Sequence, residues 1–213
     1  MAELKKNIFY VAADSVVFTI LNKELKILLI KRKNEPFKGK FALPGGFVEL
    51  NENLSDAALR ELEEETGVKD IFIEQLETYG DVKRDPRGRV LSVAYLALID
   101  GEKVKLHATD DAELAKWFSV YNLPELAFDH KKIVKDALQR LRAELQSTSI
   151  AFQLMPEKFT LSELQNAYEI ILDKKMDKRN FRKKLKELDI LKELHENKME
   201  GAHRPARLFS FKK

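Results

Sequence analysis

Glu61, Glu64 and Glu65 lie in the stretch GGFVELNENLSDAALRELEEETGV, which runs from Gly45 to Val68. Their spacing of i, i+3 and i+4 puts three carboxylates on one face of a helix. Like charges so placed repel, so such a face is either left to solvent or holds something positive. Hard divalent cations take oxygen ligands. Mg²⁺ in particular binds through a few carboxylates together with waters and substrate phosphates. The turn Pro44-Gly45-Gly46 just ahead lets the backbone come close. Arg60 can pair with Glu52 and hold the intervening loop against the helix. Spacing leaves two readings open: a solvated acidic face, or a site for a hard divalent cation such as Mg²⁺.

Two further groups of side chains suit phosphate chemistry. The segment Lys83-Arg84-Asp85-Pro86-Arg87-Gly88-Arg89 sets three arginines in a turn. Guanidinium forks match phosphates and stack on bases, although a solvated hairpin tip has the same composition. Later, Lys178, Arg179, Arg182, Lys183, Lys184 and Lys186 fall on one face of a stretch whose other face carries Phe181, Leu185 and Leu188. His107, His130, His195 and His203 have no metal-ligand spacing and read as ordinary surface or core residues, as Trp117 and Phe118 read as core. The chain has no cysteine, so thiolate chemistry and disulfides are excluded.

The elements that must position these groups change character along the chain. Ile8–Tyr10 and Ser15–Ile20 are β-branched and aromatic, and Leu25–Lys31 is a short apolar run; all three read as strands, the last two joined at Asn22-Lys23. Leu54–Thr66 has apolar residues at 54, 57, 58 and 62, a helical stripe, and Gly67 stands where a C-terminal cap belongs. Ile71–Tyr79, Val90–Ile99 and Ala115–Val120 read as further strands, and Leu126–Leu145 as a second helix. After Gln146-Ser147-Thr148-Ser149 a capping box appears, with Thr160 as N-cap and Glu163 at the third helical position. It opens a helix over 161–172. Asp177 caps a basic helix over 178–188, and Leu191–Leu194 with Ala206–Phe211 form a hairpin around Glu196–Pro205. Helix, basic helix and hairpin make a winged helix-turn-helix pattern. The expected division is 1–148 and 149–213.

Composition agrees with two units. At 213 residues with 44% hydrophobic and 34% charged content, the chain suits a soluble globular protein. Its net charge of +3 is uneven: residues 1–148 carry 23 Lys+Arg against 25 Asp+Glu, whereas 149–213 carry 15 against 10. A balance of +5 on the smaller part suits a polyanionic partner or a solvated helical face. No stretch approaches the roughly 20 apolar residues that cross a bilayer. The N-terminus lacks signal-peptide features, and a cytoplasmic setting without membrane association is expected.

The Gly46–Val68 segment resembles the Nudix box, G-x5-E-x7-R-E-U-x-E-E-x-G-U with U aliphatic. Gly46, Glu52, Arg60, Glu61, Leu62, Glu64, Glu65, Gly67 and Val68 fill its fixed positions. The resemblance covers about residues 8–146 and implies an α/β fold: the Nudix α/β/α sandwich around a mixed sheet. It also implies Mg²⁺- or Mn²⁺-assisted hydrolysis of a nucleoside diphosphate linked to another group. Glu61, Glu64 and Glu65 are then expected as metal ligands with the Gly46 carbonyl, and Arg60 and Glu52 as architecture of the catalytic loop. The general base varies among such enzymes, and the box glutamates, Asp110, Asp111 and Glu113 are all candidates. The Arg84-Asp85-Pro86-Arg87-Gly88 string is similar to the substrate loop of ADP-ribose pyrophosphatases, which makes Arg84, Asp85, Arg87 and Arg89 candidate ligand contacts.

The tail resembles the C-terminal domain of Nudix-related transcriptional regulators. In these the Nudix domain senses a ligand, often ADP-ribose, and the winged helix binds operators of NAD-metabolism genes. The resemblance implies DNA contacts from Lys178, Arg179, Asn180, Arg182 and Lys183 on the basic helix, and from Arg204 and Arg207 on the wing. A homodimer reading palindromic half-sites follows from the small size of such a domain. Many such regulators have an eroded box; this one is intact. Two alternatives to an ADP-ribose-responsive regulator stand: a pyrophosphohydrolase with an accessory C-terminal domain, and a regulator responsive to a sugar.

Overall fold

The computed structural model describes residues 8–101, 104, 106, 112–145, 154–199 and 205–212. These fold into two compact units. The first holds the body of a large sheet and extends to Ala137. The second runs from Leu138 and also takes in the hairpin tip Thr19–Leu25 and the short turn from Ile99. The expected division at 148/149 lies outside the described residues.

The large sheet has seven strands: β1 (Tyr10–Leu21), β2 (Glu24–Arg32), β3 (Phe41–Ala42), β4 (Gly45–Phe47), β5 (Glu74–Tyr79), β6 (Val90–Leu98) and β7 (Ala112–Ser119). Its main order is β3-β2-β1-β6-β5, with β4 on β1 and β7 on β2. β1 and β6 are parallel, with Ala12 opposite Ser92 and Asp14 opposite Ala94; the pairs with β3, β4, β5 and β7 are antiparallel. The sheet is therefore mixed, as expected. A parallel neighbour needs a long crossover, and the stretch between β1 and β6 carries the first helix, α1 (Leu54–Thr66), which packs on β4 and β6. Ala57 and Ala58 of α1 meet Ala13, Val93 and Tyr95 in one part of the core. The small side chains let helix and sheet approach closely. Asn22 and Lys23 both have left-handed backbones, which fits a two-residue hairpin turn between β1 and β2.

Several boundaries differ from those expected. Ile8–Tyr10 and Ser15–Ile20 do not form two strands: a single strand spans Tyr10–Leu21, because Asp14, the polar residue in its middle, finds partners inside the fold. β5 begins at Glu74 instead of Ile71, and β7 extends back to Ala112. The second helix, α2 (His130–Glu144), begins four residues late, because Ala127 N–H donates to the Phe41 carbonyl at 2.8 Å and Phe128 takes a left-handed backbone.

In the second unit the capping box is formed. Glu163 N–H donates to Thr160 Oγ1 at 3.2 Å, Thr160 N–H donates to Glu163 Oε2 at 2.7 Å, and α3 spans Leu161–Leu172. Asp177 Oδ1 accepts from the N–H groups of Arg179 and Asn180 at the start of α4 (Lys178–Leu188). β9 (Leu191–Lys198) and β10 (Ala206–Phe211) form the expected hairpin, with β9 running four residues past Leu194 into the stretch read as the turn. A short strand not foreseen, β8 (Phe159–Thr160), adds to β10. Phe159, Leu164, Tyr168, Ile171, Phe181 and Leu185 are buried together as a small core, with the Tyr168 and Phe181 rings edge to face at 5.2 Å.

Thr160→Ala should cost about 1 kcal/mol in the unfolding of the unit that holds α3, whereas Thr160→Ser should cost little. The shift in denaturant midpoint between the two variants checks this.

Candidate functional site

α1 ends at Gly67, whose left-handed backbone caps the helix with its N–H on the Glu63 carbonyl. On its exposed side one guanidinium organises the charges. Arg60 donates to Glu52 through Nε at 2.9 Å and Nη2 at 2.7 Å, to Glu61 at 2.8 Å, to Glu64 at 3.1 Å, and to the Phe47 carbonyl at 3.2 Å. Glu52 also accepts from the Glu49 N–H at 2.7 Å. The Arg60 hydrogen bonds first, and that N–H second, hold the Glu52 pKa at about 2. The loop between β4 and α1 is thus tied to the helix, as the pairing of Arg60 with Glu52 predicts.

Glu65 lies apart from this group. It is buried and accepts from the Gly45 N–H at 2.9 Å. Burial pushes its pKa up to about 8 against that hydrogen bond, and the charges of Glu61 and Asp14 add to the rise. The three box carboxylates share one helix face, yet among the described residues no three acidic or histidine side chains are grouped to hold an ion. Arg60 draws Glu61 and Glu64 to itself while Glu65 turns inward. The donor set consists of hard oxygens and fits a small divalent cation. Gly45 is sterically required here, whereas Gly46 leaves room for the Glu61 side chain. A Cβ on Gly46 would meet Glu61 Oε1 at 2.2 Å, and one on Gly45 would meet the Ala13 carbonyl at 2.3 Å.

Beside β4 opens a small cavity of about 70 Å³. Asp14, Arg32, Phe47, Arg84, Asp85, Arg87, Phe128 and His130 line it together with the Gly45-Gly46 backbone. The loop residues divide. Arg84 is buried and forks onto Asp129 at 3.0 and 2.7 Å, with Asp14 at 3.9 Å. Asp85 is buried and accepts from the Arg87 N–H and guanidinium. Burial works against its charge, but the Arg87 hydrogen bonds outweigh burial and hold its pKa low. Arg87 lies over the rings of Phe47 and Phe128 at 4.8 and 5.4 Å. Arg89 is turned away from the lining: it donates to the Gly80 and Asp81 carbonyls and lies over Phe9.

The sequence reading missed Asp14, Arg32, Phe47 and Phe128 as cavity residues and read His130 only as a surface or core histidine. The visible signal was Asp14, a charge in the middle of a β-branched run. It accepts a short hydrogen bond from the Ser92 hydroxyl. His130 Nδ1 accepts from the Leu43 N–H at 2.9 Å, so the proton of the neutral ring sits on Nε2, 3.8 Å from Asp14 Oδ1. Burial pushes the His130 pKa down, which keeps the ring neutral. Among the candidate bases, Asp110, Asp111 and the Glu113 side chain lie outside the described residues.

In the second unit Lys178, Arg179, Asn180, Arg182 and Lys183 are all exposed on α4. Arg207 on the hairpin is exposed and paired with Glu193. Arg204 lies outside the described residues. No helix among the described residues is long and apolar enough to cross a membrane.

Comparison with known proteins places both halves. Residues 12–137 match the model of the NUDIX domain, and residues 151–211 that of the NrtR DNA-binding winged helix domain. The chain is 40% identical over 202 residues to the ADPR responsive transcriptional repressor NtrR of Acinetobacter baylyi, covering 93% of this chain and 80% of that one. It is 48% identical over 137 residues to the ADP-ribose pyrophosphatase of Methanocaldococcus jannaschii, covering 64% of this chain and 80% of the archaeal protein. The crystal structure of Shewanella oneidensis NrtR complexed with a 27mer DNA superposes with a TM-score of 0.83 at 34% identity, covering 95% of this chain and 93% of that one.

Gly46→Ala should leave the fold standing, because the atom its methyl meets is the end of a flexible side chain. It should displace Glu61 and weaken Mn²⁺ binding by about tenfold, a loss near 1.4 kcal/mol. Electron paramagnetic resonance of free Mn²⁺, with a melting curve as the fold control, reads this directly.

Proposed function

The chain belongs to the Nudix family and carries an NrtR winged helix domain behind its Nudix domain, and from that premise we propose that it is an ADP-ribose-responsive DNA-binding regulator. The observation that carries this reading is that one chain holds a filled Nudix box beside a cavity in one unit and a cationic helix face in the other. In this reading residues 1–148 bind the ligand and 149–213 bind the operator, within a homodimer that reads palindromic half-sites near genes of NAD metabolism.

The Nudix half recognises a nucleoside diphosphate derivative. Phe47 and Phe128 offer apolar ring faces, and Asp14, Arg84 and His130 form a buried polar floor. Glu61, Glu64 and Glu65, with the Gly46 carbonyl, would hold Mg²⁺ or Mn²⁺. Such an ion neutralises the charge of a diphosphate and lowers the pKa of a bound water. Arg60 and Glu52 keep the box loop on α1. Asp85 keeps Arg87 across the two rings.

In the other half, Asp177 caps α4 so that Arg179, Asn180, Arg182 and Lys183 stand near its start, where a recognition helix meets base edges and phosphates. Lys178 adds to this face, and Arg204 and Arg207 extend it to the wing.

A second reading, in which hydrolysis is the main activity, is favoured by the intact box and by the 48% identity to the archaeal pyrophosphatase. Both activities are expected to coexist. Sequencing of sheared genomic DNA retained by the protein, with and without ADP-ribose, separates the readings. A few palindromic sites that change with ADP-ribose support the regulator, and no retention at low salt leaves the enzyme. Glu64→Gln should lose metal-dependent conversion of ADP-ribose to phosphate monoesters while keeping its DNA affinity. Arg182→Ala with Lys183→Ala should lower the slope of log K against log salt by about 1.8, since each phosphate contact contributes about 0.9.

A further inference from the structure

Three arginines line the cavity, and two of them are already matched by acids of the protein. Arg84, with its side chain only 3% exposed, forks onto Asp129 and faces Asp14. Arg87 is held by Asp85, whose side chain is 1% exposed. Arg32 is different. Its Nε donates to the Pro36 carbonyl at 2.8 Å and one Nη makes a long contact of 3.5 Å with the Asn34 carbonyl. Among the described residues no carboxylate stands within ion-pair distance of it. Burial pushes the Arg32 pKa down, and the neighbouring Arg87 charge pushes the same way. The acids that oppose this, Glu65, Asp85 and Asp14, act only at longer range. A partly buried guanidinium with neutral acceptors and a cationic neighbour lacks a counter-ion.

The surroundings hold Arg32 in this state. It is the last residue of β2, and its backbone is fixed by the Lys40 carbonyl and the Gly39 N–H at 2.9 and 2.8 Å. Its guanidinium lies over the Phe128 ring at 4.9 Å. Phe128 has φ 52 and Phe37, which meets it edge-on at 4.8 Å, has φ 64. Left-handed backbones are unfavourable for aromatic residues and tend to persist at ligand sites. Here the left-handed Phe128 sets one ring against both Arg32 and Arg87.

We infer that Arg32 takes the phosphate charge of the ligand, in place of the arginines of the Lys83–Arg89 loop. Arg84 and Arg87 then serve as internal counter-ions for Asp129, Asp14 and Asp85. The inference rests on the reading of this cavity as the ligand site, and inorganic pyrophosphate tests it without assuming the organic part of the ligand.

The experiment is calorimetric titration of the full chain and its Arg32→Gln variant with inorganic pyrophosphate, AMP, adenosine and ADP-ribose. Arg32→Gln is expected to weaken pyrophosphate, AMP and ADP-ribose by about tenfold or more, a loss each near the worth of one charged contact, and to leave adenosine unchanged. Equal affinity of the variant for pyrophosphate overturns the inference, as does an equal loss of adenosine. Pyrophosphate binding that depends on Arg32 in a protein that ignores ADP-ribose keeps the inference and removes ADP-ribose as the effector. A parent chain that binds no pyrophosphate overturns it. Phenylglyoxal modification of the unaltered protein, mapped by mass spectrometry, does not depend on the variant folding. Arg32 should be modified without pyrophosphate and protected with it; protection at Arg89 with none at Arg32 overturns the assignment.

Discussion

One guanidinium makes the acidic helix tenable. Each like-charge pair at i, i+4 on a helix costs a few tenths of a kcal/mol, and α1 presents Glu61, Glu64 and Glu65 at such spacings beside Glu52 of the preceding loop. Arg60 reaches Glu52, Glu61 and Glu64 at once and adds the Phe47 carbonyl at the end of β4. That set of bonds fixes where the loop crosses the helix, and with it where β4 lies. Glu65, beyond the reach of Arg60, resolves its share of the repulsion by burial and a bond to Gly45. The price is a carboxylate that carries its proton near neutral pH. The same carboxylates that make the helix costly in isolation are those a divalent cation neutralises, so the folding problem and the proposed chemistry share one electrostatic solution.

The close approach of β4 follows from this arrangement and opens the cavity. Gly45 and Gly46 face Asp14 and Ala13 across the β1–β4 pair, and no side chain fits at Gly45, where a Cβ would meet the Ala13 carbonyl and Asp14. Asp14 can be buried in a strand only because Ser92, on the parallel neighbour, donates to it and because Arg84 and His130 stand nearby. His130 in turn accepts from the Leu43 N–H, so the start of α2 and the turn before the box are fixed to the same floor. A buried network of this kind is expensive unless each member is satisfied. Among the described residues no buried side-chain polar atom lacks a partner.

What was legible in the sequence follows from how local each feature is. α1, α3 and α4 were read with their limits because their caps are written within a few residues: Gly67 behind one helix, Thr160 with Glu163 and Asp177 before the others. The box was legible because it resembles the Nudix pattern position by position; its helical spacing alone left a solvated acidic face open. The cavity was not legible in the same way. Asp14, Arg32, Phe47, Phe128 and His130 come from separate segments and meet only through the β1–β4 and β1–β6 registers and the late start of α2. Nothing near Phe128 in sequence announces a left-handed backbone. The internal pairing of the 83–89 loop was not legible either: Asp129, far away in sequence, pairs with Arg84, and the loop's own Asp85 pairs with Arg87.

The two halves of the chain therefore use charge in opposite ways. In the Nudix half the cavity region sets Arg32, Arg84 and Arg87 against Asp14, Asp85 and Asp129, with Arg84 and Arg87 in direct ion pairs and Arg32 on neutral acceptors. In the proposed function, selectivity there comes from the need for an anion also to fit the rings of Phe47 and Phe128. In the winged half the cations of α4 are exposed and face solvent, with long i, i+4 pairs such as Lys183 to Glu187 at 3.9 Å contributing little. Such a surface attracts any polyanion through counter-ion release, and its sequence preference must come from the few side chains near the start of the helix. A regulator needs both kinds: a site that discriminates small molecules by enclosure, and a surface whose grip on DNA is strong enough to matter yet weak enough for a change of state elsewhere in the chain to release it.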